Sequence, residues 1–183
     1  MALLESVPAR LGSLLPTFSL ADADGIVYRS DDLSGANGLL VVVTCNHCPY
    51  AQAVWPRVVR LARHAREVGI ATVAINPNLN PDYPDDSPPA MKEAIARLGI
   101  AFPYLVDRDQ SVARALDAQC TPEFYLYDRD RRLAYHGRLD DSWKDESKVT
   151  RRELQGAIEA LATGRPVDAD QPPSMGCSIK WLE

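Results

Sequence analysis

The chain has 183 residues, 46% of them apolar and 25% charged, a length and balance that suit one ordinary globular domain with a sizeable core. Its net charge of −5 removes the electrostatic basis for binding nucleic acid or an anionic membrane, and its basic residues are scattered or set beside acids. Four cysteines are too few for a disulfide scaffold, no run is apolar enough to span a bilayer, and Met1-Ala2-Leu3-Leu4-Glu5 lacks the features of a secretory signal. A cytoplasmic protein is expected, and in a reducing compartment closely spaced cysteines point to redox or metal chemistry.

Residues 1–183 read as a single domain, with an N-terminal arm over 1–11 and a C-terminal tail over 165–183. No element is predicted before residue 17. Thr17-Phe18-Ser19-Leu20 alternates polar and apolar, and Asp24-Gly25 then leads into Ile26-Val27-Tyr28, a hairpin signal. Leu39-Leu40-Val41-Val42-Val43 is apolar at every position and predicts a central strand covered on both faces. Ala51, Val54, Val58, Leu61 and Ala65 then recur at helical spacing. This helix begins at Cys48, with Pro49 in the first turn where a missing N–H is harmless. Trp55 belongs to its core side, Pro56 kinks it and Gly69 ends it.

A strand follows over Ile70 to Ile75. Residues 76–89 carry five prolines and read as irregular, and Asp82, Asp85 and Asp86 read as a solvated loop because their spacing does not match a calcium-binding hand. Ser87 is placed to cap a helix from Pro88, with Met91, Ile95 and Leu98 inward. Next come a short strand over Phe102 to Val106, with Pro103 at an edge or a strand start, and a short helix over Ser111 to Asp117. Phe124 to Tyr127 and Leu133 to His136 form a hairpin. A last helix opens with the capping box Thr150-Arg151-Arg152-Glu153 and stops at Gly164. Strands alternating with helices imply an α/β fold, a parallel sheet to which the late hairpin adds antiparallel pairing. Chemistry in such sheets sits at the C-terminal ends of strands, where Cys45 and Cys48 fall.

Two cysteines separated by Asn46 and His47 at a helix start can close a small disulfide ring. The helix N-terminus favours a thiolate, and Cys45 is expected as the nucleophile with Cys48 as the resolving thiol. A protonated His47 stabilises the reduced form and shifts the pair toward oxidising behaviour. The competing reading of Cys45 and Cys48 is half a zinc site, but only Cys120, Cys177 and three scattered histidines (His47, His64, His136) remain to complete it. No metal and no cofactor is assigned. His64 reads as solvent-facing and His136 as a hairpin residue. Thr121-Pro122 lies just before a strand, and its peptide bond is either cis or an ordinary trans bond opening the strand. Glu123 reads as a proton shuttle or, preferably, an exposed strand residue. Cys120 and Cys177 are either small buried apolar residues or a second redox pair that accepts the disulfide from Cys45 and Cys48.

The ordered motifs resemble the thioredoxin superfamily, in its peroxiredoxin-like or redoxin branch. Leu15-Pro16-Thr17-Phe18-Ser19-Leu20 with Asp24-Gly25 resembles the N-terminal hairpin of redoxins, Thr44-Cys45-Asn46-His47-Cys48-Pro49-Tyr50 stands at the active-site position, and Thr121-Pro122 resembles the loop that binds an extended substrate backbone. The likeness runs over about residues 12–183 and includes Gly176-Cys177-Ser178-Ile179-Lys180-Trp181. It implies a thioredoxin-like fold, a mixed sheet flanked by helices and extended by an N-terminal β-hairpin. It also implies a cis Pro122, Cys45 and Cys48 as the redox pair, and Asn46, His47, Thr121 and Pro122 as their support. The implied activity is thiol–disulfide exchange with protein or small-molecule disulfides. A thiol peroxidase or redox sensor acting on peroxide is the alternative, and a cysteine-based metal-binding protein is a third. If Cys48 matches the peroxidatic cysteine of that branch, Val41 and Cys45 stand where its members carry proline and threonine.

Overall fold

A computed structural model describes residues 3–182; Met1 and Ala2 of the expected arm and Glu183 of the tail lie outside the described residues. The strands are β1 (Leu3–Glu5), β2 (Ser19–Asp22), β3 (Val27–Arg29), β4 (Gly38–Val43), β5 (Ile70–Asn76), β6 (Tyr104–Val106), β7 (Cys120–Thr121), β8 (Glu123–Asp128), β9 (Leu133–Gly137) and β10 (Met175–Ser178). The helices are α1 (Pro49–Glu67), α2 (Pro88–Leu98), α3 (Ser111–Ala115) and α4 (Glu153–Ala162). Seven strands form a mixed sheet in the order β3-β2-β6-β5-β4-β8-β9. β4 lies parallel to β5 and antiparallel to β8, and all six of its residues are buried, as an unbroken apolar run requires.

Alternation along β4 divides the core. Leu40 and Val42 pack with Val54, Trp55 and Val58 of α1 and with Leu154 and Ile158 of α4. Leu39, Val41 and Val43 point the other way, toward Val112 and Ala113 of α3 and toward Leu15 and Phe18. Both faces are thus covered, and the C-terminal end of β4 is fixed in the centre of the molecule. α1 continues unbroken through Pro56, and Gly69 takes the left-handed conformation just beyond its end at φ +79°. Pro103 precedes β6, an interior strand, so it marks a strand start and not an edge.

Three expectations are corrected. An element does precede residue 17: β1 of the arm and β7 flank β10 of the tail in a separate antiparallel three-stranded sheet. The capping box is absent, since α4 has Arg152 at its N-cap, the Thr150 hydroxyl donates to Asp141, and Glu153 pairs with Arg138. Ser87 does occupy the N-cap of α2, but its side chain makes no capping bond. Among the described residues, no helix is long and apolar enough to cross a membrane.

Candidate active site

The backbone leaves β4 at Val43, and Thr44 N–H still donates to Ile75 O across the sheet at 2.9 Å. Residues 45–48 then cross from strand to helix, and α1 starts at Pro49 with Cys48 as its N-cap. The cysteine that meets the helix N-terminus is therefore Cys48. Cys45 lies earlier in the crossing, with its carbonyl accepting from Trp55 Nε1 at 3.3 Å. Both cysteines have no exposed surface.

The peptide bond between Thr121 and Pro122 is cis, and this loop faces both sulfurs. Thr121 Oγ1 lies 3.2 Å from Cys45 Sγ, and Thr121 O accepts from Cys48 Sγ at 3.2 Å. Cys177, on β10, places its Sγ 2.7 Å from that of Cys48. Strand register explains this. Cys177 stands opposite Thr121, while Cys120 stands opposite Ser178. Cys120 and Cys177 are both buried and free, and they stand at successive, not opposite, positions of the β7–β10 pair. Cys177 is the neighbour of Cys48, and the sulfur of Cys120 lies against Glu123 Oε2 and Pro122 O at 3.8 and 3.9 Å.

These contacts set the thiol acidities. The Cys48 thiol is held down at about 5, chiefly by the hydrogen bond from Cys45, with further donation from Cys177 and from Ala51 N–H in the first turn of α1. Burial opposes this. Cys45 is pushed well up by burial, by its bond to Cys48 and by the Asp86 carboxylate. Of the two thiols, the one at the helix cap is therefore the more acidic. Burial and the Glu123 charge raise Cys120 far above the usual thiol range.

Asp86 does not belong to a solvated loop. It is fully buried and reaches back across 40 residues to accept from Asn46 N–H at 2.6 Å, from Asn76 Nδ2 at 3.2 Å and from His47 Nδ1. Asn46 also donates to Asp85 O and accepts from Tyr104 OH. His47 is consequently fixed, with 7% of its side chain exposed and its ring 4.4 Å from that of Tyr83; its Nε2 has no partner. Sequence patterning gave no sign of Asp86, because its partners are remote in the chain.

Glu123 was expected to be exposed and is buried. It accepts from Gln119 N–H, Cys120 N–H, Tyr125 OH and His136 Nε2, four donors that compensate a carboxyl group with no exposed surface. His136 is buried with it. Trp55 is core, and His64 keeps 39% of its side chain exposed. Beside the cis proline lies a cavity of about 170 Å³ lined in part by Pro122, Phe124, Leu139, Trp143 and Met175.

Among the described residues, Cys45, His47 and Asp86 bring three donor atoms within 4.8 Å of one another. A closed zinc site takes four ligands, and here Nδ1 of His47 is already bonded to Asp86. The arrangement fits an imidazole–carboxylate pair beside a thiol better than a metal cage.

A mixed sheet, a dithiol at the start of a helix and a cis proline facing it define a thioredoxin-like thiol protein. The Redoxin family model matches residues 10–153, and the chain belongs to the Redoxin family. It is similar along its whole length to an uncharacterized conserved protein from Geobacillus kaustophilus, with 43% identity and a TM-score of 0.94 over 97% of that chain. Over 132 residues, 70% of each chain, it is 24% identical to the thiol-disulfide oxidoreductase ResA of Geobacillus thermodenitrificans. A secreted Mycobacterium tuberculosis disulfide oxidoreductase, 17% identical, shares the fold with a TM-score of 0.60 over 78% of this chain and 95% of its own. These relationships support a general thiol redox function.

Proposed function

We propose that this protein is a thiol–disulfide oxidoreductase in which Cys48 attacks and Cys45 resolves, the reverse of the order expected from the sequence. The observation that carries the reading is the position of Cys48 at the N-cap of α1, where neighbouring thiols and an N–H stabilise its thiolate. The Cys48 thiolate attacks a substrate disulfide, forms a mixed disulfide and releases one thiol. Cys48 then no longer holds a charge beside Cys45. Cys45 then loses its proton and attacks Cys48 Sγ, and the second substrate sulfur leaves and takes up a proton. Protein or small-molecule disulfides in the cytoplasm are the proposed substrates, the extended backbone of a peptide being received at Thr121 and Pro122.

The test is adduct formation between the fully reduced protein and a glutathione-based model disulfide, followed by stopped-flow and mass spectrometry. Cys48→Ser is expected to slow adduct formation by at least a hundredfold, and Cys45→Ser to leave the first attack nearly unchanged. The opposite pattern would restore Cys45 as nucleophile. Exchange no faster than that of a free thiol in the intact protein would remove the proposal.

A further inference from the structure

The structure points to a third redox cysteine: we propose that Cys177 is a second resolving thiol, closing a Cys48–Cys177 disulfide that is then passed to Cys45. This rests on Cys48 as the attacking thiol. The sulfurs of Cys48 and Cys177 are in direct contact, 2.7 Å apart, as two free thiols. Strand register sets the placement, because β10 is the middle strand of its sheet, with Leu3 and Thr121 opposite Cys177. Gly176 allows it: a Cβ there would lie 2.0 Å from Thr121 O, so only glycine lets β10 approach the cis-proline loop so closely. One residue, Thr121, thus positions all three sulfurs, touching Cys45 through its hydroxyl, Cys48 through its carbonyl and Cys177 through the strand pair.

The electrons balance. After the first attack Cys48 is bonded to the substrate sulfur. The Cys177 thiol loses its proton and attacks Cys48 Sγ; the bond to the substrate breaks, and the departing thiolate takes up a proton. Cys48 and Cys177 have together lost two electrons, and the substrate disulfide has become two thiols. Attack of Cys45 on Cys48 Sγ then forms Cys45–Cys48 and returns Cys177 to the thiol, with no net oxidation. In the dithiol state, burial and its bond to Cys48 push the Cys177 thiol up to about 12, while Lys180 pulls it down. The contribution from Cys48 disappears once that sulfur is in a mixed disulfide.

Peptide mapping under non-reducing conditions tests this, after treatment of the reduced protein with oxidised glutathione and alkylation of the remaining thiols. The wild type is expected to yield a Cys48–Cys177 link, which joins two separate tryptic peptides, besides the Cys45–Cys48 ring. Cys45→Ser is expected to clear its glutathione adduct into the 48–177 link. Cys45→Ser/Cys177→Ser is expected to stall as the adduct, resolving at least a hundredfold more slowly. Absence of the 48–177 link from the wild type, or a Cys45→Ser protein that stalls like the double variant, overturns the inference and leaves exchange through Cys45 and Cys48 intact. A double variant that forms no adduct at Cys48 refutes the exchange reading itself. The wild-type map requires no substitution, so misfolding of a variant cannot conceal the answer.

Discussion

The acidity of Cys48 is the most direct quantity to measure. A thiol held at about 5 is ~99% ionised at pH 7, whereas a free cysteine near 8.5 is only ~3% ionised. The ultraviolet absorbance of the thiolate in the reduced protein, with Cys48→Ser subtracted, should therefore rise with a midpoint near pH 5. Alkylation by iodoacetamide should be nearly flat across neutral pH. Cys177 contributes one of the stabilising hydrogen bonds. A bond to a charged group is worth about 1.5–3 kcal/mol, so Cys177→Ala should raise the midpoint by ~1–2 pH units. The linkage to stability has a definite sign. The folded pKa of Cys48 is depressed, so its ionisation stabilises the reduced fold fully above the unfolded value of ~8.5 and is lost as pH falls through about 5. Cys45, with its raised pKa, opposes this at the alkaline end. The reduced wild type should therefore gain stability relative to Cys48→Ser between about pH 5 and 8. A wild-type midpoint near 8.5, or one that Cys177→Ala does not move, would refute the reasoning.

Asp86→Ala strands Asn46 N–H, His47 Nδ1 and Asn76 Nδ2 in a buried site, and should cost ~2–4 kcal/mol in denaturant unfolding, with Asp86→Asn costing less because it keeps an acceptor. If both variants unfold within about 1 kcal/mol of the wild type, Asp86 is not the anchor of the 45–48 crossing. Hydrogen peroxide should oxidise Cys48 no faster than a free thiolate, since sulfur and carbonyl neighbours surround it; a rate far above that makes the protein a peroxidase. Cys120, buried and raised in pKa, should resist alkylation in the native state while labelling fully in denaturant. Native labelling of Cys120 at the rate of Cys48 would contradict the buried Glu123 environment.

Much of this was legible where local chemistry decides. The all-apolar run in β4, Pro49 at the first position of α1 and Gly69 beyond its end follow from chain-local rules, whereas the residues around Pro122 leave cis and trans open and only the family resemblance implies the cis bond. What escaped depends on contacts between distant residues. Asp86 looks like one acid among several in a proline-rich stretch, and only the folded chain brings it beneath Asn46 and His47. Glu123 lies in a strand whose alternation is consistent with either face, and its burial is decided by His136 on the next strand. The capping box failed because Asp141 engaged Thr150 and Arg138 engaged Glu153, so tertiary partners outcompeted a local motif. Cys177 could be paired on paper with any of three cysteines. A register set by β1 and β7 selects Cys48.

The closure of the site carries a final consequence. A substrate disulfide must touch Cys48 Sγ, yet neither Cys45 nor Cys48 has exposed surface, so exchange requires part of the wall to yield. α1 and β4 are anchored in the central core and cannot yield without unfolding it. β10 is different: four residues long, it is held on one side by two residue pairs to β7 and on the other by β1, whose three residues are all exposed. Segments with few buried contacts open at lower free energy than the global fold. Amide hydrogen exchange in the reduced protein should therefore be orders of magnitude faster at Met175–Ser178 than at Gly38–Val43. Trapping the Cys48–Cys177 disulfide in Cys45→Ser should slow exchange in β10 and leave β4 unchanged. Equal protection of β10 and β4 in the reduced state would move the entrance elsewhere. The strand that carries the second resolving thiol would then not be the one that admits the substrate, and the coupling of access to resolution would be lost.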